Sequence, residues 1–427
     1  MTKKILLTLI FGIPTSIILS LMSCNNINTV GDSHFTNDGE LCVDSSDNVE
    51  FNLKSPTRIK FYVEVSGSMN GFFRSNIPTQ FKADVWQILS YYSKIAPDIT
   101  ILTNGGDMGV TIPMKEFQTK MNTGTFVSSA STQVPLMLRS IIDDLKADEG
   151  EVAVLISDMK YSPVGAAAPN VLLTQYTTDV GEIIGSYGKS VSLIGAISNY
   201  VDKSGQTITN PATNEMVNSP YYFFIIGNGE QVTFVRNDIS SLLEMSNHFI
   251  DNIDSGIDYG KVTCSFGIPN NCFQLNDEPT FVGFEGDTCT IKMKIDLERY
   301  RWILTRPEVF KNSFEAKAVY GSNVAVGNID FEENNITELK GKPSLHRKAT
   351  AIVDLNVYDL AQDSEVIEWT LKLPNTNEDM FAPFFGATDE NDISKSYSVD
   401  NFIKGMYQAS VVNKTLKPSY ILISKNQ

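Results

Sequence analysis

Residues 61–73 read FYVEVSGSMNGFF. The apolar, β-branched and aromatic run at 59–65 has the composition of a strand buried on both faces. Where such a strand ends it carries an acid and two serines, Glu64-x-Ser66-x-Ser68. A helix follows, because Phe81, Val85, Ile88, Leu89, Tyr92 and Ile95 recur at spacings of three and four and share one face. The polar groups between strand and helix are either a turn or one wall of a site.

The same alternation continues along the chain. Pro97 and Asp98 stop the helix, 99–102 is a short strand and 110–113 an edge strand. Val134, Met137, Leu138, Ile141, Ile142 and Leu145 form a second helical stripe, capped by Ser131 or Thr132. A third buried strand, 152–156, leads to Asp158. Asn170 opens a third helix that Gly188 stops, with Leu173, Tyr176, Val180, Ile183, Ile184 and Tyr187 on one side. Strands at 191–197 and 221–226 and a helix to about His248 complete the series. Strand and helix in alternation predict an α/β domain over 56–250, a doubly wound, mostly parallel sheet with helices on both faces.

Over 251–427 the period changes to two. Ile291, Met293, Ile295 and Leu297 alternate with polar residues, and so do Ala349, Ala351, Val353, Leu355 and Val357. Ile367, Trp369, Leu371 and Leu373 repeat the pattern. Half-buried antiparallel strands follow, hence a β-rich, sandwich-like C-terminal domain. It includes one helix capped by Ser398 and a closing strand at 420–424. The acid-rich pieces 377–380 and 389–392 read as solvated loops.

At the N-terminus, Lys3 and Lys4 precede an apolar run at 5–22, and the small Ser23 precedes Cys24. That is the layout of a secretory signal over 1–23. Leu21-Met22-Ser23-Cys24 resembles a bacterial lipobox, in which the cysteine thiol is lipidated and becomes the new N-terminus. A transmembrane anchor is the other reading, but the run contains Gly12, Pro14, Thr15 and Ser16 and barely reaches spanning length. Residues 24–55, rich in Asn, Asp, Ser and Gly, then read as a lipidated tether. The expected location is the cell envelope, lipid-anchored on the periplasmic side of an outer membrane, since Asn25 and Asn26 supply no acidic run after the cysteine.

The formal charge of −16 argues against nucleic acid as a partner and against a polybasic grip on lipid headgroups. Beyond Cys24 lie Cys42, Cys264, Cys272 and Cys289. Export permits disulfides, and the three possible pairings stay open. No C-x-x-C or Cys/His pair has zinc spacing.

In an open parallel sheet, ligands gather beyond the C-terminal ends of the strands. Glu64, Ser66, Ser68, Thr132 and Asp158 share that address. Together they resemble the metal-ion-dependent adhesion site (MIDAS) of von Willebrand factor A-type (vWA) domains. That family places D-x-S-x-S after its first strand, a threonine in a later loop and an aspartate after a further strand. Ser66 and Ser68 take the serine places, Thr132 the threonine and Asp158 the second aspartate, and the likeness covers about 56–250. The resemblance implies Mg2+, with Mn2+ or Ca2+ as substitutes, held by these oxygens, which are the hard donors such ions take. It also implies an open coordination position for a carboxylate of a protein partner.

Two positions depart from the family pattern. Glu64 stands where the family has aspartate. One methylene longer, it either reaches the ion directly where aspartate works through water, or crowds the ion out. Met159 follows Asp158 where the family often has glycine. Without an ion each residue has an ordinary use: Ser66 and Ser68 as turn caps, Thr132 as a helix cap, Asp158 as a turn-forming acid.

An enzyme is the competing class. His34, His248 and His346 leave little for a Ser-His-Asp triad. Ser157-x-x-Lys160 matches a serine–lysine pattern without its other members, and no G-x-x-x-x-G-K loop is present. A metal-assisted hydrolase built on Asp158 lacks a visible second carboxylate or histidine cluster. The sequence thus predicts a non-enzymatic, membrane-anchored lipoprotein that binds a protein partner through the five oxygen donors, with a metal-free scaffold of an envelope assembly as the alternative. Phe72 and Phe73 are expected to pack beneath the following helix rather than line the rim.

Overall fold

The structure, a computed structural model, describes residues 32–35, 41–44, 54–103, 108–127, 132–161, 169–256, 264–267, 269, 271–274, 279–297, 303–304, 307–335, 347–371, 378–386, 392–409 and 418–425. The expected signal segment and Cys24 lie outside them. No helix among the described residues is long and apolar enough to cross a membrane. Within the expected tether, β1 (Asp32–Phe35) and β2 (Leu41–Asp44) pair antiparallel.

The chain divides into two compact units. The α/β unit comprises Asn52–Asp258 and Thr376–Val412. Its elements begin with β3 (Arg58–Glu64), a 3-10 turn (Gly67–Gly71), α1 (Gln80–Tyr91), β4 (Asp98–Thr103) and β5 (Met108–Pro113). Next come α2 (Met114–Thr123), α3 (Val134–Asp144), β6 (Glu151–Ser157), α4 (Pro169–Tyr187) and β7 (Ser190–Asn199). Then follow β8 (Asn218–Gly227), α5 (Gly229–Met245) and β9 (Phe249–Ser255). After an excursion into the other unit the chain returns with α6 (Glu378–Phe381) and α7 (Val399–Ala409).

The seven strands lie in the order β5-β4-β3-β6-β8-β7-β9. The sheet is mixed, not mostly parallel as the alternation implied. Only β3–β4 and β3–β6 pair parallel, while β4–β5, β6–β8, β8–β7 and β7–β9 pair antiparallel. Two reversals cause it: β5 pairs back on β4 at the sheet edge, and β8 pairs back on β7. Helical crossovers do join strands of one direction, as between β6 and β7 and between β8 and β9. Between β7 and β8 there is no helix. Residues 200–217 turn back through the bridges Val201↔Thr207 and Thr209↔Met216, so β8 runs antiparallel and occupies the place between β6 and β7. α2 has no counterpart in the sequence pattern, because only Phe117 and Met121 are buried on it, too few apolar positions for a recognisable stripe.

The return segment belongs to the core of this unit. Val399, Phe402, Ile403 and Met406 of α7 share an apolar cluster with Tyr176, Val180 and Phe224. Gly405 permits the approach of α7 to α4, for a Cβ there would stand 2.7 Å from the Thr177 carbonyl oxygen. Of residues 377–380, expected as a solvated loop, 378–380 lie in α6, and Phe381 at its end is fully buried. Its ring stacks on Tyr222 with centroids 6.3 Å apart and fills the space above Gly195. Phe72 and Phe73 pack on Phe81 of α1, as expected of residues beneath that helix.

The second unit carries two further sheets, of order β10-β13-β16-β15 and β11-β12-β18-β17-β14. The first contains β10 (Cys264–Phe266), β13 (Thr288–Asp296), β15 (Asn323–Asn335) and β16 (Arg347–Tyr358). The second contains β11 (Phe273–Gln274), β12 (Thr280–Phe284), β14 (Phe314–Ala318), β17 (Ser364–Leu371) and β18 (Ser419–Lys425). The period-two residues of both point into one apolar core, Ile291, Met293 and Val353 from the first, Phe281, Ile367 and Ile421 from the second. All pairings are antiparallel except β12–β18.

Phe381→Ala tests the anchoring of the return segment. Truncating this buried ring is expected to lower stability by about 3–5 kcal/mol, read as a fall in the urea midpoint of the α/β unit; a change under about 0.5 kcal/mol would show that α6 is not part of that core.

Candidate functional site

Register explains why distant polar residues meet. β3 and β6 pair in parallel with Val63 opposite Ile156, so both strands end at one rim. The acid and serines that follow β3 therefore stand beside Ser157 and Asp158 at the end of β6. Thr132, just ahead of α3, closes the third side.

Glu64 lies at the centre and is buried. Its Oε1 accepts the Ser66 backbone N–H at 2.8 Å and the Thr132 hydroxyl at 3.2 Å, and its Oε2 accepts the Ser157 hydroxyl at 2.9 Å. Ser66 Oγ and Ser68 Oγ are 2.8 Å apart. The Ser68 hydroxyl lies close enough to Asp158 to lower its carboxyl, and Asp158 Oδ1 accepts the Lys160 backbone N–H at 3.1 Å. The five residues singled out from the sequence thus lie together, Glu64, Ser66, Ser68 and Thr132 joined by hydrogen bonds and Asp158 acting on Glu64 through its charge. Four are buried, and Ser68 alone is half-exposed.

The ordinary uses of the hydroxyls are mostly not taken. Gln133, not Thr132, occupies the N-cap position of α3, and no side chain caps that helix. Ser66 precedes the 3-10 turn without capping it. Both hydroxyls serve the network instead. Asp158 does form the turn, through Lys160, while meeting Ser68.

The electrostatics are those of a crowded anionic pocket. Burial, and then the charge of Asp158, push the Glu64 carboxyl up from 4.5 to about 7. Burial also raises Asp158, against the opposing pull of Lys160 and the Ser68 hydroxyl. Two carboxylates in one dry pocket cannot both ionise cheaply unless a cation joins them. The donors present are carboxylate and hydroxyl oxygens, the set suited to magnesium, calcium or manganese. Among the described residues no group of three or more His, Cys, Asp or Glu gathers as a metal site.

Several contributors escaped sequence reasoning. In the sequence Ser157 is only half of a serine–lysine pattern, yet its hydroxyl bonds Glu64 and accepts the Met159 N–H at 2.8 Å. Lys160 Nζ donates to the Asp392 carbonyl at 2.9 Å, and the Ser396 hydroxyl donates to the Asp158 carbonyl at 3.2 Å. Both contacts come from the return segment, more than 230 positions away, beyond any local pattern. Tyr200 donates its hydroxyl to the Ser68 carbonyl at 2.8 Å, and its ring occupies the space a side chain at Gly71 would need. Met159 has φ 53°, a left-handed conformation that glycine adopts freely. Its side chain is fully buried. His248 bonds Asp84 at 2.6 Å rather than any of these groups.

Comparison of the chain with protein-family models, with curated proteins and with solved structures gives no match.

The raised Glu64 pKa has a definite sign. The folded state holds this proton up to about pH 7, the unfolded chain only to about 4.5. The stabilisation is therefore complete below pH 4.5 and lost as pH rises to about 7. With a chelator present, wild type is expected to lose about 3 kcal/mol more than Glu64→Gln over that window. Urea denaturation at stepped pH reads the difference, and superimposable profiles would mean that Glu64 does not titrate there.

Proposed function

We propose that the α/β unit is a vWA-like binding domain carried by a membrane-anchored bacterial lipoprotein. Its rim binds a divalent cation, magnesium first, and through it a carboxylate of a protein partner. One observation carries this reading: oxygen donors from three separate loops converge on two buried carboxyls whose ionisation burial opposes, that of Glu64 being opposed also by the charge of Asp158.

Each residue has a part. Glu64 receives the Thr132 hydrogen, which leaves the lone pairs of Thr132 Oγ1 for an ion. The Ser66 and Ser68 hydroxyls, now bonded to each other, are both acceptors once that single bond is exchanged. Asp158 brings the charge, and half-exposed Ser68 marks the open side. A bound ion would supply the missing positive charge and one position for a partner's oxygen. The alternative is a metal-free scaffold of an envelope assembly. Its support is Lys160, buried beside Asp158, whose charge pulls the Asp158 carboxyl down.

Isothermal calorimetry on the purified chain, first chelated and then titrated with magnesium, separates the two. The expected result is saturable binding below the millimolar range, weakened at least about tenfold, or ~1.4 kcal/mol, by Ser66→Ala. Absence of heat at millimolar magnesium, manganese and calcium would leave the scaffold reading alone.

A further inference from the structure

We propose that Cys272 and Cys289 form a disulfide that ties together the two sheets of the β-rich unit. The two sulfur atoms lie 2.8 Å apart, inside ordinary non-bonded contact for two sulfurs. Cys289 belongs to β13 of the four-stranded sheet, and Cys272 immediately precedes β11 of the five-stranded sheet. Both are buried in the core that the sheets share. The backbone around them is fixed independently of the sulfurs. Asn271 Nδ2 donates to the Thr288 carbonyl at 2.7 Å, and the Glu285 N–H donates to the Asn271 carbonyl at 3.2 Å.

Cys264 is not an alternative partner for Cys289. On β10 it stands opposite Ile295, six positions along β13 from Cys289. That is about 20 Å of extended strand, whereas a disulfide needs Cα atoms within about 7 Å. The register thus excludes the pairing that joins Cys264 to Cys289.

The chemistry is thiol–disulfide exchange. Each cysteine gives up a proton and the pair gives up two electrons as the Cys272–Cys289 S–S bond forms. The bond broken is the S–S of a donor disulfide, R–S–S–R, which accepts both electrons and both protons and leaves as two thiols. Buried sulfurs cannot meet a bulky donor in the finished fold, so the exchange belongs to folding, before the sheets close. An exported chain meets such donors as it folds. The inference does not depend on cation binding by the α/β unit, which involves none of these residues.

The test is made on the full chain, folded in a glutathione buffer of oxidising poise. Free thiols are alkylated in denaturant without reductant, and the chain is cut with a glutamate-specific protease. Glu278 and Glu285 lie between the two cysteines, whereas no Lys or Arg does, so trypsin would leave them on one peptide. The expected product is a linked peptide pair whose fragmentation places the bond at 272–289, with Cys264 alkylated. Full alkylation of Cys272 and Cys289, or a bond to another cysteine, would overturn the proposal. Thermal unfolding supplies a second measure. Wild type unfolded and refolded in reductant is expected to melt about 5–10 °C below the oxidised chain, and the Cys272→Ala/Cys289→Ala double variant to melt alike after either treatment. A wild-type transition indifferent to reductant would also overturn it.

Discussion

The parallel pairing of β3 with β6 is the constraint on which the rest of the site depends. A parallel pair sends both strands out of the same edge, so whatever follows each strand is delivered to one place. With Val63 opposite Ile156, the delivered groups are Glu64 and the serines on one side, Ser157 and Asp158 on the other. A register slip of one residue would turn Glu64 from one face of the sheet to the other. Its hydrogen bonds to Thr132 and Ser157 would then be lost together.

Much of this was legible because it is local. The strand at 59–65, the stripe on α1 and the polar cluster between them are contiguous, and their meaning does not depend on the remainder of the chain. Asp158 was legible for the same reason, as an acid ending an apolar run. The direction of β8 was not, because strand composition is the same whichever way a strand runs; only residues 200–217, a connection without a helical period, distinguish a hairpin from a crossover. The return of 378–409 was hidden for a related reason. α7 has a clear helical face, but that face does not state which core it covers, and α6 is a single turn holding one buried ring.

The return segment also shows how the second half of the site is held. Asp158 ends a strand and begins a loop, and a loop residue in a left-handed conformation follows it. Left to itself such a loop would have few reasons to keep one geometry. Three contacts supply them: Ser396 to the Asp158 carbonyl, Lys160 to the Asp392 carbonyl, and the Tyr161 N–H to the Tyr397 carbonyl. Tyr161 is clamped as well, stacked on Tyr176 with centroids 4.1 Å apart. The carboxylate on this loop is thus positioned by sequence remote from it, whereas Glu64 is positioned by the sheet itself.

The glutamate at 64 is the point at which the sequence departs most sharply from the adhesion-site pattern, and the structure gives its extra length a use. From β3 the carboxylate reaches one oxygen to Thr132 and the other to Ser157 on the neighbouring strand. The added methylene is taken up by that span between strands and loop. Glu64 accordingly acts as the acceptor that orders three donors, the Ser66 N–H and the Thr132 and Ser157 hydroxyls, while the Ser66 and Ser68 hydroxyls bond each other. On the proposed reading, an ion at the rim would be held by Ser66, Ser68, Thr132 and Asp158, with Glu64 supplying charge and orientation. Shortening Glu64 to aspartate would match the motif that the sequence resembles and yet pull the carboxylate away from Ser157, so in this chain the substitution that looks most conservative removes a bond that the glutamate makes.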